Sequence, residues 1–328
     1  MGFNERYFNS AMSKLEQRRS ADRVLTDMRR QEIYSKLPEY HRLADSLAQT
    51  GQRLVSLIMK GDSVADEVSR LEKENLETQR SMTKLLAQAG YPEDYLEPQY
   101  TCQICRDKGT ANGRWCSCFQ KLMLDAAAKE LNENSPLELS SFDSFRLDYY
   151  PDQINPEMRV SERTIMQRNF EYCKSYAAAF TPKSEGILMS GATGLGKTHL
   201  SLAIASQVLK KGHSVIYGSV PELLRMIERE YFGKSDNDTM SAIIGCDLLI
   251  LDDLGAEMDK QLYSSLLYEV INSRISRGLP MIVSTNYTTA ELKNRYQDKI
   301  CSRLLSFRLM VFFGSDIRRI LKKSNGSR

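Results

Sequence analysis

The sequence predicts an α/β protein with a helical first part, a short cysteine-rich module and a second half built on a five-stranded, mostly parallel sheet. Two observations support this fold class. From about residue 141, short apolar runs alternate with helical stretches, whereas residues 1–90 contain no strand signal. The runs are GILMSG, SVIYGSV, DLLILDDLG, PMIVSTN and FRLMVFFG. Apolar runs separated by crossover helices are typical of buried parallel strands. We therefore predict a helical module over 1–90, a cysteine module over 91–121, a linker over 122–140 and an α/β domain over 141–328.

The first 90 residues predict three helices, over 11–37, 39–61 and 63–90. Pro38 and the pair Gly61-Asp62 separate the helices, and Gly90 closes the last one. Their apolar residues recur at helical spacing and leave charge on the remaining face. Such helices form either a small solvated bundle or a module that binds a partner, and the sequence alone leaves both interpretations open.

The composition is that of an ordinary globular protein, with 41% hydrophobic and 27% charged residues in 328. A net charge of +3 is too small to identify a partner, although eight Lys/Arg against one acidic residue lie between 299 and 328. The first residues contain no apolar core of signal-peptide length, and no apolar run approaches a membrane span. We expect a cytoplasmic protein without a membrane partner, in which thiols stay reduced.

Four of the seven cysteines lie in one short stretch, CQICRDKGTANGRWCSC. Two close pairs, C-x2-C and C-x-C, are joined by a loop that contains two glycines. Four thiolates at this spacing can close a tetrahedral shell around Zn²⁺, and metal binding supplies roughly 10–16 kcal/mol that so short a segment cannot obtain from its core. We predict a structural zinc site, with idle thiols as the alternative and disulfides as the least favoured one. The predicted ligands are Cys102, Cys105, Cys116 and Cys118.

The stretch SGATGLGKTHL fits the phosphate-loop pattern G-x-x-x-x-G-K-[ST]. An apolar run, Ile187–Met189, precedes it, and a good helix former follows it. Backbone N–H groups of such a loop surround phosphate oxygens, and the helix N-terminus adds partial positive charge. We expect Lys197 to reach the β- and γ-phosphates and Thr198 to bind Mg²⁺. The residues predicted to bind the nucleotide are Gly191, Ala192, Thr193, Gly194, Leu195, Gly196, Lys197 and Thr198.

Polar side chains follow two further predicted strands. Asp252 and Asp253 end the run DLLIL, and Asn286 ends the run PMIVST. We assign Asp252 to Mg²⁺ and Asp253 to polarising the attacking water, with Glu257 as an alternative base. Asn286 is placed to orient water or to contact the γ-phosphate. These residues could instead simply form the turns that follow the strands. The upstream phosphate loop favours a role at the nucleotide.

These motifs together resemble the AAA+ ATPases. Within them the chain is similar to the bacterial replicative-helicase loaders of the DnaC/DnaI type and to the transposition helper ATPases of the IstB type. The matching segments run from residue 141 to 319 and include GLGKTHLSLAIA, LLILDDLGAE, IVSTN, SRLLS and a G-x-D-x-R ending. The resemblance implies ATP as the nucleotide and Asn286 as sensor 1. It implies that Arg303 is an arginine finger reaching a neighbouring subunit, and that Arg318, or its neighbour Arg319, is sensor 2.

Two departures from the AAA+ pattern carry further expectations. Most AAA+ proteins have Asp-Glu where this chain has Asp252-Asp253. Because the Asp carboxylate lies about 1.5 Å further back, we expect slow hydrolysis, which suits a switch. About ten residues follow Arg318, too few for a full helical lid, so we expect a truncated lid.

The resemblance implies an ATP-dependent loader that places the hexameric, DnaB-type replicative helicase on single-stranded DNA and self-associates through Arg303. Residues 1–90 would bind the helicase. Candidate DNA contacts lie on one segment, at Arg225, Arg229, Tyr231, Phe232 and Lys234. Two alternatives stay open: an IstB-type helper acting with a transposase on duplex DNA, and a zinc-containing adaptor that binds ATP without hydrolysing it.

Overall fold

The computed structural model describes residues 5–60, 65–133, 140–154, 159–234, 238–296 and 298–318, with backbone only at 51–60 and 65–67. The chain divides into two compact units, Met12–Phe119 and a second that combines Met1–Ala11 with Gln120–Arg328. The predicted domain boundaries stay predictions. Arg319 and the residues after it lie outside the described range, and so does any test of the truncated lid. Among the described residues, no helix has the length and apolar character needed to cross a membrane.

The helical first part of the sequence is confirmed. The helices are α1 (Glu5–Lys36), α2 (Pro38–Lys60) and α3 (Ala65–Gln88). Pro38 opens α2, where its missing N–H costs nothing because the first turn has no internal acceptor for it. Buried Ile33, Tyr40 and Leu86 form a small core between these helices.

A carboxylate ties α1 to the segment that follows α3. Glu32 accepts hydrogen bonds from Lys36 Nζ at 2.7 Å, Tyr95 OH at 2.9 Å and Tyr91 OH at 3.0 Å. These donors, that of Lys36 first, lower the pKa of Glu32 to about 2. The ionised carboxylate is therefore the form that holds this corner of the unit together.

The cysteine module contains a hairpin that the sequence reading did not include. Strands β1 (Thr110–Ala111) and β2 (Arg114–Trp115) pair antiparallel. Asn112 and Gly113 join them, both with positive φ, at 51° and 72°. Asn-Gly is the preferred pair for a two-residue turn of this kind because both positions need positive φ. Helix α4 (Ser117–Leu131) follows directly.

The second unit is an α/β fold, as predicted. Its strands are β3 (Ile187–Ser190), β4 (Val215–Ser219), β5 (Leu248–Leu254), β6 (Met281–Thr285) and β7 (Arg308–Val311). The helices are α5 (Glu162–Ala179), α6 (Lys197–Lys210), α7 (Val220–Tyr231), α8 (Thr239–Gly245), α9 (Gln261–Ser276), α10 (Thr289–Arg295) and α11 (Asp298–Leu304). A short 3₁₀ helix covers Leu147–Tyr149.

The five strands form one sheet in the order β4-β5-β6-β3-β7, and every pairing is parallel. The residues of β3 and β6 are buried throughout, as expected for interior strands covered by helices on both faces. Because all strands run the same way, their carboxyl ends share one edge of the sheet. The phosphate loop, the aspartate pair and Asn286 all follow or end strands at that edge.

Candidate functional site

The phosphate loop depends on glycines at positions where a side chain would collide. Gly194 has φ +80°, and a Cβ there would overlap the Asp316 carboxylate. Gly196 has φ +88° and immediately precedes α6. The left-handed backbone at Gly194 and Gly196 disfavours other residues at both positions. The loop therefore presents its backbone at the N-terminus of α6, where partial positive charge is available to an anion.

Lys197 joins the phosphate loop to the predicted sensor residue. Its Nζ donates to Gly191 O at 2.5 Å, to Ala192 O at 2.8 Å and to Asn286 Oδ1 at 2.9 Å. Burial lowers the pKa of Lys197, while the carboxylates of Asp253 and Asp252 act in the opposite direction. Two residues 89 positions apart, predicted separately to serve the same phosphates, are thus in direct contact.

Asp252 is a buried carboxylate, 3% exposed, held by three hydroxyl groups. One oxygen accepts from Thr198 Oγ1 at 2.9 Å and from Tyr217 OH at 2.8 Å, and the other accepts from Ser284 Oγ. Burial raises the pKa of Tyr217, so its hydroxyl keeps the proton that it donates. The Thr198 hydroxyl beside a fixed carboxylate is an oxygen donor set of the kind that Mg²⁺ prefers, so these residues fit that ion.

Asp253 faces the same site because the strand is irregular there. Strand β5 continues to Leu254 instead of ending at the aspartates, and its register with β6 shifts between Leu251 and Leu254. Asp253 takes φ +55° within this bulge, and its N–H donates to Ser284 Oγ at 3.0 Å. Bulges re-aim side chains, and strained non-glycine backbone is typical of functional positions. Burial, followed by the Asp252 charge, raises the pKa of Asp253.

Glu257, the alternative base, has a different environment. Its carboxylate accepts from Gly255 N at 2.8 Å and from the Tyr296 hydroxyl, and the residue is 7% exposed. Asp253 lines the cavity beside the phosphate loop, and Glu257 is absent from that lining. The geometry therefore favours Asp253 over Glu257 as the group that contacts water.

The cavity has a volume of about 390 Å³ and an aromatic wall that sequence reasoning missed. Phe145, Tyr149 and Tyr150 form part of the lining beside the phosphate loop. Tyr150 OH donates to Leu195 O at 2.9 Å, and Phe145 stacks on Tyr150 with ring centroids 5.9 Å apart. The stretch SFDSFRLDYYP contributed only to the family resemblance, although its four aromatic residues ahead of a phosphate loop were a signal for an aromatic wall at this cavity.

The three predicted arginines have different places. Arg318 lines the cavity, and the N–H of its neighbour Ile317 donates to Gly194 O at 3.1 Å. Arg303 is not among the cavity residues. Its guanidinium donates twice to Asn272 Oδ1, at 2.8 and 3.0 Å, and lies 4.9 Å from the Tyr268 ring centroid. Arg319, the alternative to Arg318, lies outside the described residues.

The four predicted zinc ligands are brought together in the unit Met12–Phe119. All four Sγ atoms lie within 4.8 Å of one another, with 3.8 Å between Cys102 and Cys116 and 3.3 Å between Cys105 and Cys118. Zn–S bonds of about 2.3 Å in a tetrahedron place sulfurs about 3.8 Å apart, so this set fits Zn²⁺. The N–H of Cys105 lowers the pKa of the Cys102 thiol to about 7, whereas burial raises the pKa values of Cys105 and Cys118. A bound cation would allow all four sulfurs to be thiolates at this separation.

Backbone geometry supports this cluster. Asp107, with φ +54°, accepts from Thr101 N at 2.7 Å and from Cys102 N at 3.1 Å. Trp115 stacks on Phe119 with ring centroids 4.7 Å apart. The remaining cysteines are buried, as expected: Cys173, Cys246 and Cys301.

The candidate DNA segment is an amphipathic helix end. Helix α7 buries Leu223, Leu224 and Ile227. Tyr231 and Phe232 are 69% and 58% exposed, and Arg225, Arg229 and Lys234 are exposed as well. Residues 235–237 of this segment lie outside the described range. Two large exposed aromatic side chains beside three cations form a surface that suits stacked bases and phosphates.

Comparison with known proteins finds similarity in the segment that contains the phosphate loop. Residues 161–313 match the family described as IstB-like ATP binding protein. The replicative helicase loader DnaI of Bacillus subtilis (strain 168) is 25% identical over 222 residues, which cover 62% of this chain and 70% of that protein. The replicative helicase loader DnaC of Escherichia coli (strain K12) is 24% identical over 149 residues, which cover 44% of this chain and 61% of that protein.

A solved structure described as the DnaC helicase loader aligns with 54% of this chain and 98% of its own, at 21% identity and a TM-score of 0.46. The chain spans less than two thirds of the Escherichia coli relative's length. The resemblance that the motifs carry is confirmed by the family match and by the two loader relatives. Over residues 161–313 this chain is similar to the IstB-like ATP binding proteins.

Proposed function

We propose that this protein is an ATP-dependent loader that places the replicative DNA helicase, a hexamer of the DnaB type, on single-stranded DNA. The observation that carries the ATP-dependent part is the pair of contacts Lys197–Asn286 and Thr198–Asp252 at one edge of the sheet. The helicase-loading part is supported by two relatives, DnaI and DnaC, that are both named replicative helicase loaders. The DnaI alignment covers 62% of this chain, more than residues 161–313 alone represent.

In this proposal the loop over 191–196 and the first turn of α6 receive the phosphates of ATP. Lys197 exchanges its carbonyl partners, Gly191 and Ala192, for oxygens of the β- and γ-phosphates. The aromatic wall at Phe145 and Tyr149 packs against the base. Thr198 and Asp252 would hold Mg²⁺, which when bound neutralises the charge on the phosphates.

Hydrolysis is assigned to the residues that face the γ-phosphate. Asp253 orients the attacking water and accepts its proton, a role that the raised pKa of this carboxyl favours. Asn286 fixes the γ-phosphate from the neighbouring strand, and Arg318 neutralises its charge from the same chain. Because the Asp253 side chain is one methylene shorter than Glu, the carboxylate stays further from the water, and hydrolysis is slow.

Arg303 is assigned to the nucleotide of a neighbouring copy. Asn272 and Tyr268 hold its guanidinium on α9, outside the cavity of its own chain. An arginine supplied from outside the cavity stabilises charge on the transferred phosphate without having to bind it in the ground state. Self-association through Arg303 therefore belongs to the proposal.

The remaining parts are assigned to partners. Cys102, Cys105, Cys116 and Cys118 would hold a structural Zn²⁺ with no open position for chemistry. Residues 1–90 would contact the helicase, and the exposed end of α7 would contact single-stranded DNA. A cytoplasmic location is part of the same proposal.

The test is a loading assay with purified protein, a DnaB-type helicase and a circular single-stranded template. We expect the wild type to bind the helicase, to assemble in an ATP-dependent manner and to increase helicase on the circle. Lys197→Ala is expected to lose ATP binding and loading. The matched control is Lys210→Ala, which removes the same charge from an exposed position on the same helix. A wild-type protein that neither binds helicase nor assembles with ATP would contradict the proposal.

The IstB-type helper is the second candidate, favoured by the family match over 161–313. It predicts preference for duplex over single-stranded DNA and co-purification with a transposase. An adaptor that binds ATP without hydrolysing it predicts that Asp253→Ala leaves loading unchanged. The loading assay, extended by duplex DNA and by a test for a co-purifying transposase, therefore separates the three functions.

A further inference from the structure

The unit Met12–Phe119 contains a second cavity, of about 440 Å³, which the proposed ATP site does not use. One wall is a face of α1, and the other is the segment from Pro98 to Lys108. Five cations and two carboxylates line it, so its formal charge is 5 − 2 = +3, equal to that of the entire chain. The charged residues are Arg19, Asp22, Arg23, Asp27, Arg30, Arg106 and Lys108.

Most of this positive charge is uncompensated. Arg30 pairs with Asp27 at 2.8 Å, and Asp22 accepts from the Gln99 backbone N–H at 2.8 Å. Over the part of the chain that the structure describes, the side chains of the other four cations have no ion-pair or hydrogen-bond partner; these are Arg19, Arg23, Arg106 and Lys108. Four like charges converging on one cavity repel each other, and an anion would remove that repulsion.

A buried hydroxyl in the same lining also lacks a partner. Thr26 is 6% exposed, and its Oγ1 has no hydrogen-bond partner among the described residues. Threonines inside helices usually return the hydroxyl to the carbonyl four residues earlier. Thr50, Thr78 and Thr83 do so in this unit. Thr26 instead keeps a donor available beside the cations.

The wall opposite α1 is fixed by the cysteine module. Arg106 and Lys108 flank buried Asp107 in a turn between Cys105 and Gly109, and the Arg106 N–H donates to Cys102 O at 2.9 Å. Arg106 itself has φ +50°. The two cations are therefore mounted on a backbone that the four-cysteine cluster holds in place, and the site is pre-organised.

We infer that this cavity binds the phosphate groups of a single-stranded nucleic acid. Guanidinium forks match phosphate oxygens, and donors that arrive from two walls suit a tetrahedral anion. Half-buried Tyr100 lies in the same lining and offers a face on which a base can stack. The volume is that of a small-molecule pocket, sufficient for one nucleotide and too small for a helix of an acidic protein. This site is separate from the ATP site and does not depend on helicase loading.

The test measures anisotropy of a short fluorescein-labelled oligo(dT) with the zinc-loaded full chain, from low to physiological salt. Arg23→Ala/Arg106→Ala removes one cation from each wall. Its control, Arg80→Ala/Arg114→Ala, removes one exposed cation from a helix and one from the cysteine module outside the cavity. We expect the first double variant to bind about tenfold more weakly at low salt and to lower the slope of log affinity against log salt by about 2. The control should change neither quantity.

Thr26→Val provides a second test, because it separates the affinity for the oligonucleotide from the stability of the fold. Because its hydroxyl has no internal partner, the melting temperature should stay the same or rise, while oligonucleotide affinity falls several-fold. Equal losses in both double variants, or no loss in either, would overturn the inference. Two further results would overturn the inference. Displacement of the oligonucleotide by micromolar inorganic pyrophosphate would indicate that the ligand is a free polyphosphate. If the Arg23→Ala/Arg106→Ala variant lost binding of polyglutamate but kept binding of the oligonucleotide, the ligand would be an acidic protein. ATP affinity should be unchanged in every variant, so failure here is distinguishable from failure of the ATPase assignment.

Discussion

Arg274 on α9 is a fully buried guanidinium, and we predict that Arg274→Met strongly destabilises the α/β unit without changing its chemistry. Nη1 donates to Ile243 O at 2.7 Å and to Cys246 O at 2.8 Å, and Nη2 donates to Pro280 O at 2.6 Å. Cys246 precedes β5, and Pro280 precedes β6. The side chain thus ties together the starts of the two strands whose far ends carry Asp252, Asp253 and Asn286.

The magnitude follows from these acceptors. A buried carbonyl left without its donor costs about 1–3 kcal/mol, so three carbonyls give about 3–9 kcal/mol. Removing the buried charge offsets part of this loss in the free energy of unfolding. The charge is itself unfavourable there, because burial lowers the pKa of Arg274 and its Nε has no partner among the described residues. Breaking a buried charged network typically costs about 3–5 kcal/mol, and we expect Arg274→Met to lie in that range.

Urea unfolding followed by circular dichroism measures the loss. The control is Arg277→Met, which removes an exposed guanidinium at the end of the same helix and should stay within about 0.5 kcal/mol of the wild type. Arg274→Lys should recover part of the stability, since an ammonium can reach some of the carbonyls. ATP affinity under native conditions should change little. A loss below about 1 kcal/mol, or a loss of ATP affinity at unchanged stability, would refute the reasoning.

Three further predictions concern the metal, the reaction and pH. Chelation of zinc, or Cys105→Ser, should unfold the cysteine module and shift to the red the emission of Trp115, the only tryptophan, since its stacking on Phe119 is lost. Asp253→Glu should raise ATP hydrolysis about tenfold at unchanged ATP affinity, because the longer side chain reaches the water; an unchanged rate would reject the distance argument. Glu32→Gln should lower the urea midpoint at neutral pH. Because folding lowers the pKa of Glu32 from 4.5 to about 2, this deficit should persist above pH 4.5 and vanish as pH falls toward 2.

The sequence predicted that the candidate nucleotide-site residues lie together, because phosphate and Mg²⁺ chemistry demands particular residue types at fixed spacing. The phosphate loop, Asp252, Asp253 and Asn286 each follow or end a predicted strand, and parallel strands place such ends together. The partners of Asp252 were not predicted. Tyr217 and Ser284 reach it only through the register of β4 and β6 against β5, which depends on long-range pairing. The bulge at Asp253 also arises from that pairing, since nothing local requires positive φ at an aspartate.

Other features were missed for different reasons. The hairpin at Asn112-Gly113 had a clear local signal, and the metal pattern around it obscured that signal. Arg274 had no local signal in the sequence, because an arginine in a helix is ordinarily exposed. Only the packed structure shows that it is buried and which carbonyls accept its hydrogen bonds. The cation-lined cavity required knowing that α1 faces the segment Pro98–Lys108. Spacing along the chain carries no such information.

The hydrogen bond from Ile317 to Gly194 has a consequence for how this protein is made. The cavity is lined by residues from Ser144 to Arg318, and β7 must pair with β3 beside the phosphate loop. A nascent chain on the ribosome can therefore form the loop itself early, but the nucleotide pocket stays open on one side until Arg318 has emerged. Ribosome-bound chains halted before that point should fail to retain ATP, whereas chains released beyond it should hold the nucleotide.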